Sequence, residues 1–298
     1  MKKQLLGSLY LVLATFIWGS TFIAQSVGAN YIGAFTFQAV RCALAVVGML
    51  PVIALADKSK ADGRTFLSRF ADKQLWLAGI LCGIPLFLAC NLQQLGIADT
   101  DAGKSAFLTA MYIVIVPIIG VFQKKKPSFI LWVSVALSVV GLYCLCGVGV
   151  TSILHSDLLL LGCALMFAVQ ITFVDKFAPQ VDTLRLNWVQ ALVCAVLSAI
   201  VMVFTEKPTM SAIMDCWFPL AYAGFLSMGV AYSLQIAGQK SLSPTAASVL
   251  MSLESVFAVL FGWLLLKEVL TPWEATGCIL MFIAVILSTL PNKKAGSN

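Results

Sequence analysis

Apolar residues in this chain gather into ten long runs: Leu5–Ala24, Gly33–Ala56, Leu75–Ile97, Ala102–Phe122, Ser128–Gly147, Asp157–Ala178, Leu184–Phe204, Cys216–Gly238, Pro244–Leu266 and Trp273–Leu290. A helix rises about 1.5 Å per residue, so each run can cross a hydrocarbon layer about 30 Å thick. The connections are short, and none leaves room for a soluble domain. The pattern predicts an all-α polytopic membrane protein of ten transmembrane helices. The longest connection, Asp57–Lys73, is mixed in charge and predicts a solvated loop with a short surface helix around Phe66-Leu67.

Polar positions inside the runs are few and not randomly placed. In the ninth run, Val249, Leu253, Val256, Leu260 and Leu264 form a bulky line at helical spacing. Ala247, Met251, Glu254 and Ala258 form a small, polar face, with Ser248, Ser252 and Ser255 beside it. A carboxylate near mid-membrane is costly, so that face is expected to look at other helices or into a wet cavity. Trp18 in the first run offers a flat face to a ligand or fills space between helices. Gln38 and Arg41 lie one turn apart in the second run. Arg41 reads as an anion contact, a salt-bridge partner for Glu254, or a tether reaching outward to the headgroups. Phe87, Asn91 and Gln94 share a face of the third run, which suits either substrate contact or interhelical hydrogen bonding. Ala102, Ala106 and Ala110 form a small-residue seam in the fourth, followed by Tyr112 and the bend-permitting Pro117. Gln170 and Thr172, then Asn187 and Gln190, then Met228, Tyr232 and Gln235, supply a similar polar lining in the later runs.

Composition narrows the class. The chain is 60% hydrophobic and 11% charged, with a mean hydropathy of +0.97, which excludes an ordinary soluble domain. The net charge of +6 follows topology rather than a nucleic-acid partner. With the N-terminus inside, fifteen of the Lys and Arg residues fall on inner segments and three on outer ones. The positive-inside rule then puts both termini in the cytoplasm, with the first run retained as a span rather than cleaved as a signal. The expected location is a bacterial cytoplasmic (inner) membrane. Nine cysteines sit almost wholly inside spans without paired spacing, and His155 is the single histidine. They read as packing residues, and no metal, cofactor or catalytic constellation is expected.

The two halves resemble each other weakly. A shift of 142 residues lays Leu92-Gln93 and Gly96 on Leu234-Gln235 and Gly238, Ser105-Ala106 on Ala247-Ser248, and Lys125 on Lys267. A shift of 151 lays Thr21-Phe22 on Thr172-Phe173, and one of 149 lays Gln38 and Arg41 on Asn187 and Gln190. The halves are expected to be residues 1–147 and 157–298. Five spans per copy is odd, so the second copy must enter the membrane upside down. Two inverted five-helix repeats frame a midplane site and provide two quasi-equivalent conformations, open to either side.

Trp18-Gly19-Ser20-Thr21-Phe22, Ser252-Leu253-Glu254-Ser255-Val256-Phe257 and the turn Lys267-Glu268-Val269-Leu270-Thr271 before Gly277, taken with the five-plus-five layout, resemble the EamA-type branch of the drug/metabolite transporter superfamily. Family members usually carry Pro where Ser255 stands and Gly where Lys267 stands, so the ninth helix is expected to be straighter here. The resemblance implies a ten-helix carrier of small metabolites, often exporting amino acids or related solutes. It implies a cavity lined by spans one, three, four, six, eight and nine. That brings forward Trp18, Asn91, Gln94, Tyr112, Gln170, Tyr232 and Gln235 as substrate contacts, with Glu254 and Arg41 as a coupling or charge network. The expectation is a secondary active or facilitative carrier of amino-acid-like or amphipathic solutes working by alternating access. Its partners would be substrate, lipid and protons, with no nucleic acid, and it would act as a monomer or homodimer. A passive channel and a membrane-embedded enzyme are the alternatives. The first would carry current, and the second lacks the clustered His, Asp and Glu such chemistry uses.

Overall fold

A computed structural model of the chain describes residues 2–60, 63, 65–100, 102–125, 127–145, 155–266 and 271–290. The motif residues Lys267–Leu270 therefore lie outside the described part. Ten helices account for the ten apolar runs. They are α1 (Lys2–Ala29), α2 (Ala34–Lys58), α3 (Lys73–Ala98), α4 (Ala102–Ala110 continued by Tyr112–Phe122), α5 (Phe129–Leu145) and α6 (His155–Phe177). Then follow α7 (Thr183–Thr205), α8 (Trp217–Ala221, Tyr222–Ala231 and Tyr232–Gln239), α9 (Pro244–Met251 and Leu253–Leu266) and α10 (Pro272–Thr289). Among the described residues nine are long and apolar enough to cross a membrane, and α5 is a shorter apolar helix. Side-chain caps set many of the starts: Asp72 accepts from Gln74 N, Asp182 from Arg185 N and Ser243 from Ala246 N, and Thr271 forms a capping box with Glu274. The loop helix expected at Phe66-Leu67 runs Phe66–Phe70.

Helix packing repeats itself across the two halves. α3 lies on α6 and α7, and α8 lies on α1 and α2; α2 pairs with α7, and α5 with α10. The α2–α7 pair shows the inversion residue by residue. At one end of the pair, Glu206, just past the end of α7, accepts from the backbone N–H of Phe35 (2.9 Å) and Thr36 (2.8 Å) at the start of α2. At the other end Asp57, on the last turn of α2, receives both arms of the Arg185 guanidinium on the first turn of α7. Asp57 and Glu206 stand 149 residues apart, as do Thr36 and Arg185. The same geometry thus occurs twice, with the chain direction reversed. Gly33 takes the N-cap position of α2 without a capping side chain, because the carboxylate of Glu206 fills the space where its Cβ would stand.

Gln4 near the start of α1 and Leu290 just past the end of α10 border one vestibule, so both ends of the described chain lie on a single face. We call it the terminal face, and the opposite one the distal face. Two ion pairs tie α4 to α6, Lys104–Asp157 (2.7 Å) on the distal side and Lys125–Asp175 (2.6 Å) on the terminal side. On the terminal face Arg185 also lies over the rings of Phe66 and Phe70, and Lys60 meets Asp182 at 2.6 Å. Burial alone would raise the Asp182 carboxyl, but its hydrogen bonds from Lys60 and the Arg185 backbone hold it below its ordinary value. A depressed native pKa contributes stability above the unfolded value of about 3.9, and that stability is lost as pH falls through the native value. Melting temperature is therefore expected to fall on acidification below about pH 4, and to fall less in Asp182→Asn, which retains the cap. Superimposable Tm–pH curves for the two proteins would remove this cluster from the stability account.

Two helices depart from the sequence reading. α9 is not a straight rod despite lacking the family's proline. It is interrupted at Ser252, where serine hydroxyls bond back to carbonyls one turn earlier, Ser252 to Val249 (2.7 Å) and Ser248 to Thr245 (2.9 Å). Along the bulky line of α9, Val249, Leu253 and Val256 are buried and Leu264 is exposed. The middle of α8 is wound as a π-helix over Tyr222–Ala231, a local widening that apolar periodicity does not signal.

Candidate functional site

The centre of the bundle holds a narrow cavity with about 30 Å³ of room for the centres of water-sized molecules. Trp18, Phe22 and Gln25 come from α1, Arg41 from α2, Gln93 from α3, and Tyr112 from α4. Phe167 and Ile171 come from α6, Ser227, Tyr232 and Gln235 from α8, and Met251 and Glu254 from α9. Of the residues singled out in the sequence, Trp18, Arg41, Tyr112, Tyr232, Gln235 and Glu254 meet here. Asn91, Gln94 and Gln170 do not line the cavity. Asn91 donates to Phe87 O (2.8 Å) and Ser198 Oγ (2.9 Å). Gln94 donates to Gln25 O (3.0 Å), and Gln170 donates to Gln190 Oε1 (3.2 Å) while accepting from Gln235 (3.1 Å). They hold the lining in place from behind. Phe22, Gln25, Gln93, Phe167, Ile171, Ser227 and Met251 were not singled out as contacts. Gln93 was legible only as a repeat match; helical phase alone favoured its neighbour Gln94.

The cavity sits where the two repeats meet themselves. The Tyr112 hydroxyl donates to Glu254 Oε1 at 2.9 Å, and these positions are 142 residues apart. Cys90 Sγ lies 3.6 Å from the Tyr232 hydroxyl, again 142 apart. Each pair consists of equivalent positions facing across the local twofold axis. On α5 and α10, Gly141 and Gly277 also meet, each placed so that an added Cβ would run into the other's carbonyl oxygen. On the axis, Tyr opposite Glu and Cys opposite Tyr break the symmetry. Both helices bearing the first pair are interrupted beside it, α4 at Met111 and α9 at Ser252.

The electrostatics are unusual for a bundle core. Arg41 is 2% exposed and Glu254 6%, yet no ion pair joins them among the described residues. The guanidinium Nη2 instead meets Cys90 Sγ at 3.3 Å, with the fully buried Cys42 and Cys194 packed behind. The readings of Arg41 as a salt-bridge partner of Glu254 or as a tether to the headgroups are therefore both corrected. The guanidinium is enclosed by α2, α3 and α7, too deep to reach an interface. Arg41 Nε, Trp18 Nε1 and Gln235 Oε1 are buried without a hydrogen-bond partner. Unsatisfied buried polar atoms are costly; three on residues lining one cavity describe a wall with two donors and an acceptor to spare. Trp18 stacks edge-on against Tyr232 at 5.0 Å, and Phe167 meets Tyr112 edge-on at 6.4 Å, so the polar atoms are set in an aromatic box. Among the described residues no His, Cys, Asp and Glu group could hold a metal ion.

Comparison with known proteins agrees with this architecture. The family model described as the EamA-like transporter family matches residues 5–147 and 154–290. An uncharacterized transporter of Archaeoglobus fulgidus is 32% identical over 296 residues, covering 97% of this chain and 87% of that one. The uncharacterized transporter YoaV of Bacillus subtilis is 22% identical over 295 residues, covering 97% of each. A solved crystal structure with 16% identity superposes with a TM-score of 0.75 over 95% of this chain and 96% of its own, which shows a shared fold. With both halves matched and a relative above 30% identity along nearly its whole length, this chain belongs to the EamA-like transporters of the drug/metabolite transporter superfamily, and it is a multi-pass membrane transporter rather than an enzyme.

Proposed function

We propose that the chain is a carrier that moves one small amphipathic organic solute per conformational cycle, and that the solute is zwitterionic or neutral with an acceptor group at one end. The observation that supports this most directly is a central cavity holding Arg41 and Glu254 without pairing them. An acceptor such as a carboxylate satisfies the free donors of Arg41 and Trp18. A donor such as an ammonium satisfies Glu254 and the Gln235 carbonyl. The aromatic rings of Trp18, Phe167 and Tyr232 cover the apolar remainder. A phosphate ester would call for several cationic groups, and Arg41 is the one basic residue on the cavity wall. We take residues 1–147 and 157–298 as the two moving units, the terminal face as cytoplasmic by the positive-inside rule, and export across a bacterial inner membrane as the direction. A single chain suffices, since the cavity is complete within it. Uptake of an amino-acid panel into proteoliposomes without nucleotide is the test. Ionic current in single-channel recording would replace a carrier by a pore.

Glu254 is the natural proton carrier in this reading. It is the one acid on the cavity wall, and its hydrogen bond from Tyr112 spans the two halves. In Glu254→Gln, flux driven by a pH gradient is expected to fall by at least about tenfold, with substrate counterflow retained, because an amide keeps a hydrogen bond but holds no exchangeable charge. Loss of both activities together would leave Glu254 its contact to the solute and remove it as the proton carrier.

A further inference from the structure

Two layers of glutamine border the cavity, one on each side, and their central members, Gln93 and Gln235, occupy equivalent positions of the two repeats. On the distal side Gln93 of α3 accepts from Gln25 of α1 (3.1 Å) and donates to Thr109 of α4 (3.4 Å). On the terminal side Gln235 of α8 donates to Gln170 of α6 (3.1 Å) and to Gln239 (3.0 Å). Gln93 and Gln235 are 142 residues apart, the same spacing as the pairs on the local axis. The bond from α1 to α3 in one half is thus the counterpart of the bond from α6 to α8 in the other. Both amides border the cavity, and both are buried.

What lies beyond each layer differs. Outside the distal layer Ile97, Ala106 and Ala258 join the cavity-lining Phe22 in a buried apolar cluster. Outside the terminal layer the next residue after the cavity-lining Ile171 is Thr172, which already borders a vestibule that it shares with Thr245, Ser243 and Ser288. The amides also differ in what they have left over. Among the described residues Gln93 has both ends engaged, whereas Gln235 keeps its carbonyl oxygen buried without a partner.

We propose that Gln93 and Gln235 are the paired positioning residues that control access to the cavity, Gln93 from the distal side and Gln235 from the terminal side. In the conformation described here the distal layer is the tighter, and Gln235 presents its free carbonyl to whatever occupies the cavity. When the repeats exchange conformations, the two glutamines exchange these tasks. The distal amides part, Gln93 turns its freed carbonyl inward, and the Gln170–Gln235–Gln239 layer becomes the closed one. The same amide therefore serves as a bolt in one state and a ligand contact in the other, and no charge has to be uncovered to open either side. This rests on the carrier reading, but its test needs neither substrate nor flux.

The test reads sidedness. Ser227 borders the cavity and is buried, so Ser227→Cys serves as a probe for a charged, membrane-impermeant methanethiosulfonate. Reagent is added to either side of vesicles of known orientation, with the unsubstituted protein as labelling blank. Gln235→Ala is expected to raise the labelling rate from the terminal face about fivefold, and Gln93→Ala from the distal face by a similar factor, the population shift given by one or two lost hydrogen bonds. Asn91→Ala, which loosens the same helix as Gln93 but away from the cavity, is expected to shift neither. Should an alanine variant fail to fold, the shorter amide in Gln93→Asn or Gln235→Asn breaks the same contacts and is read the same way. Equal gains on both sides, gains on the wrong side, no change in either glutamine variant, or an Asn91→Ala shift as large as theirs would overturn the assignment. Absence of flux in the amino-acid panel would sink the substrate reading and leave this result standing.

Discussion

Replacing Gly277 with valine is expected to cost the fold about 3 kcal/mol. The site is the crossing of α5 and α10, which pack along one another. A Cβ on Gly277 would stand 2.6 Å from Gly141 O and 2.8 Å from Leu145 N, and one on Gly141 would stand 3.0 Å from Gly277 O. These obstructions are backbone atoms, which cannot rotate aside, so the helices must separate. In a membrane, separation forfeits dispersion contacts that lipid replaces poorly in a narrow crevice, which is why small residues mark such crossings. Gly162→Ala provides the contrast, since its nearest neighbour would be Leu92 Cδ1 at an ordinary 3.4 Å; that change is expected to be nearly neutral. Thermal unfolding of the purified proteins in detergent checks both. A valine variant as stable as the native chain would mean that the two helices do not meet at these glycines.

Arg41→Leu is expected to weaken binding by roughly thirtyfold or more while leaving the fold at least as stable. The two effects separate because of how Arg41 is buried. It has no carboxylate partner among the described residues; Cys90 Sγ is a weak acceptor, and Nε is unsatisfied. An unpaired buried cation is a cost to folding, so an apolar side chain relieves it, even one as short as leucine. The same unsatisfied donors are what an acceptor on the solute would use, and losing a charge-assisted contact of this kind weakens binding by roughly thirtyfold or more. Arg41→Lys keeps the charge but loses the planar fork, and should retain part of the affinity. Solute-induced shifts in Tm report binding, and the Tm without solute reports stability. If Arg41→Leu lowers stability and leaves binding intact, the guanidinium is a structural element. This pattern, a stability cost retained at a functional position, is what a site selected for ligand contact leads one to expect.

How far the sequence carried depended on what kind of question was asked of it. The ten spans were legible because each must be apolar over its whole length, a condition written in consecutive residues. The opposite sense of the two halves followed from an odd number of spans, without any knowledge of packing. Trp18, Arg41, Tyr112, Tyr232, Gln235 and Glu254 were found because a polar, charged or indole group inside an apolar run needs a reason. Asn91 and Gln94 show where that argument weakens. An amide facing another helix and an amide facing a cavity satisfy the same rule, and a rotation of one residue, about 100°, separates Gln94 behind the wall from Gln93 on it. Gln25 and Phe22 went unmarked because nothing in their neighbourhood distinguishes a cavity wall from a packed seam.

Length, span number, inversion and the list of costly side chains were thus determined by the sequence alone, since the membrane constrains each of them locally. Which costly side chains meet was decided only by the tertiary structure. That the repeats touch themselves at Tyr112–Glu254 and Cys90–Tyr232 depends on where the local twofold axis falls between the halves. That Arg41 stays apart from Glu254 depends on it too. The position of that axis is a balance of many van der Waals contacts between helices of similar composition, none strong enough to leave a mark at one position of the chain.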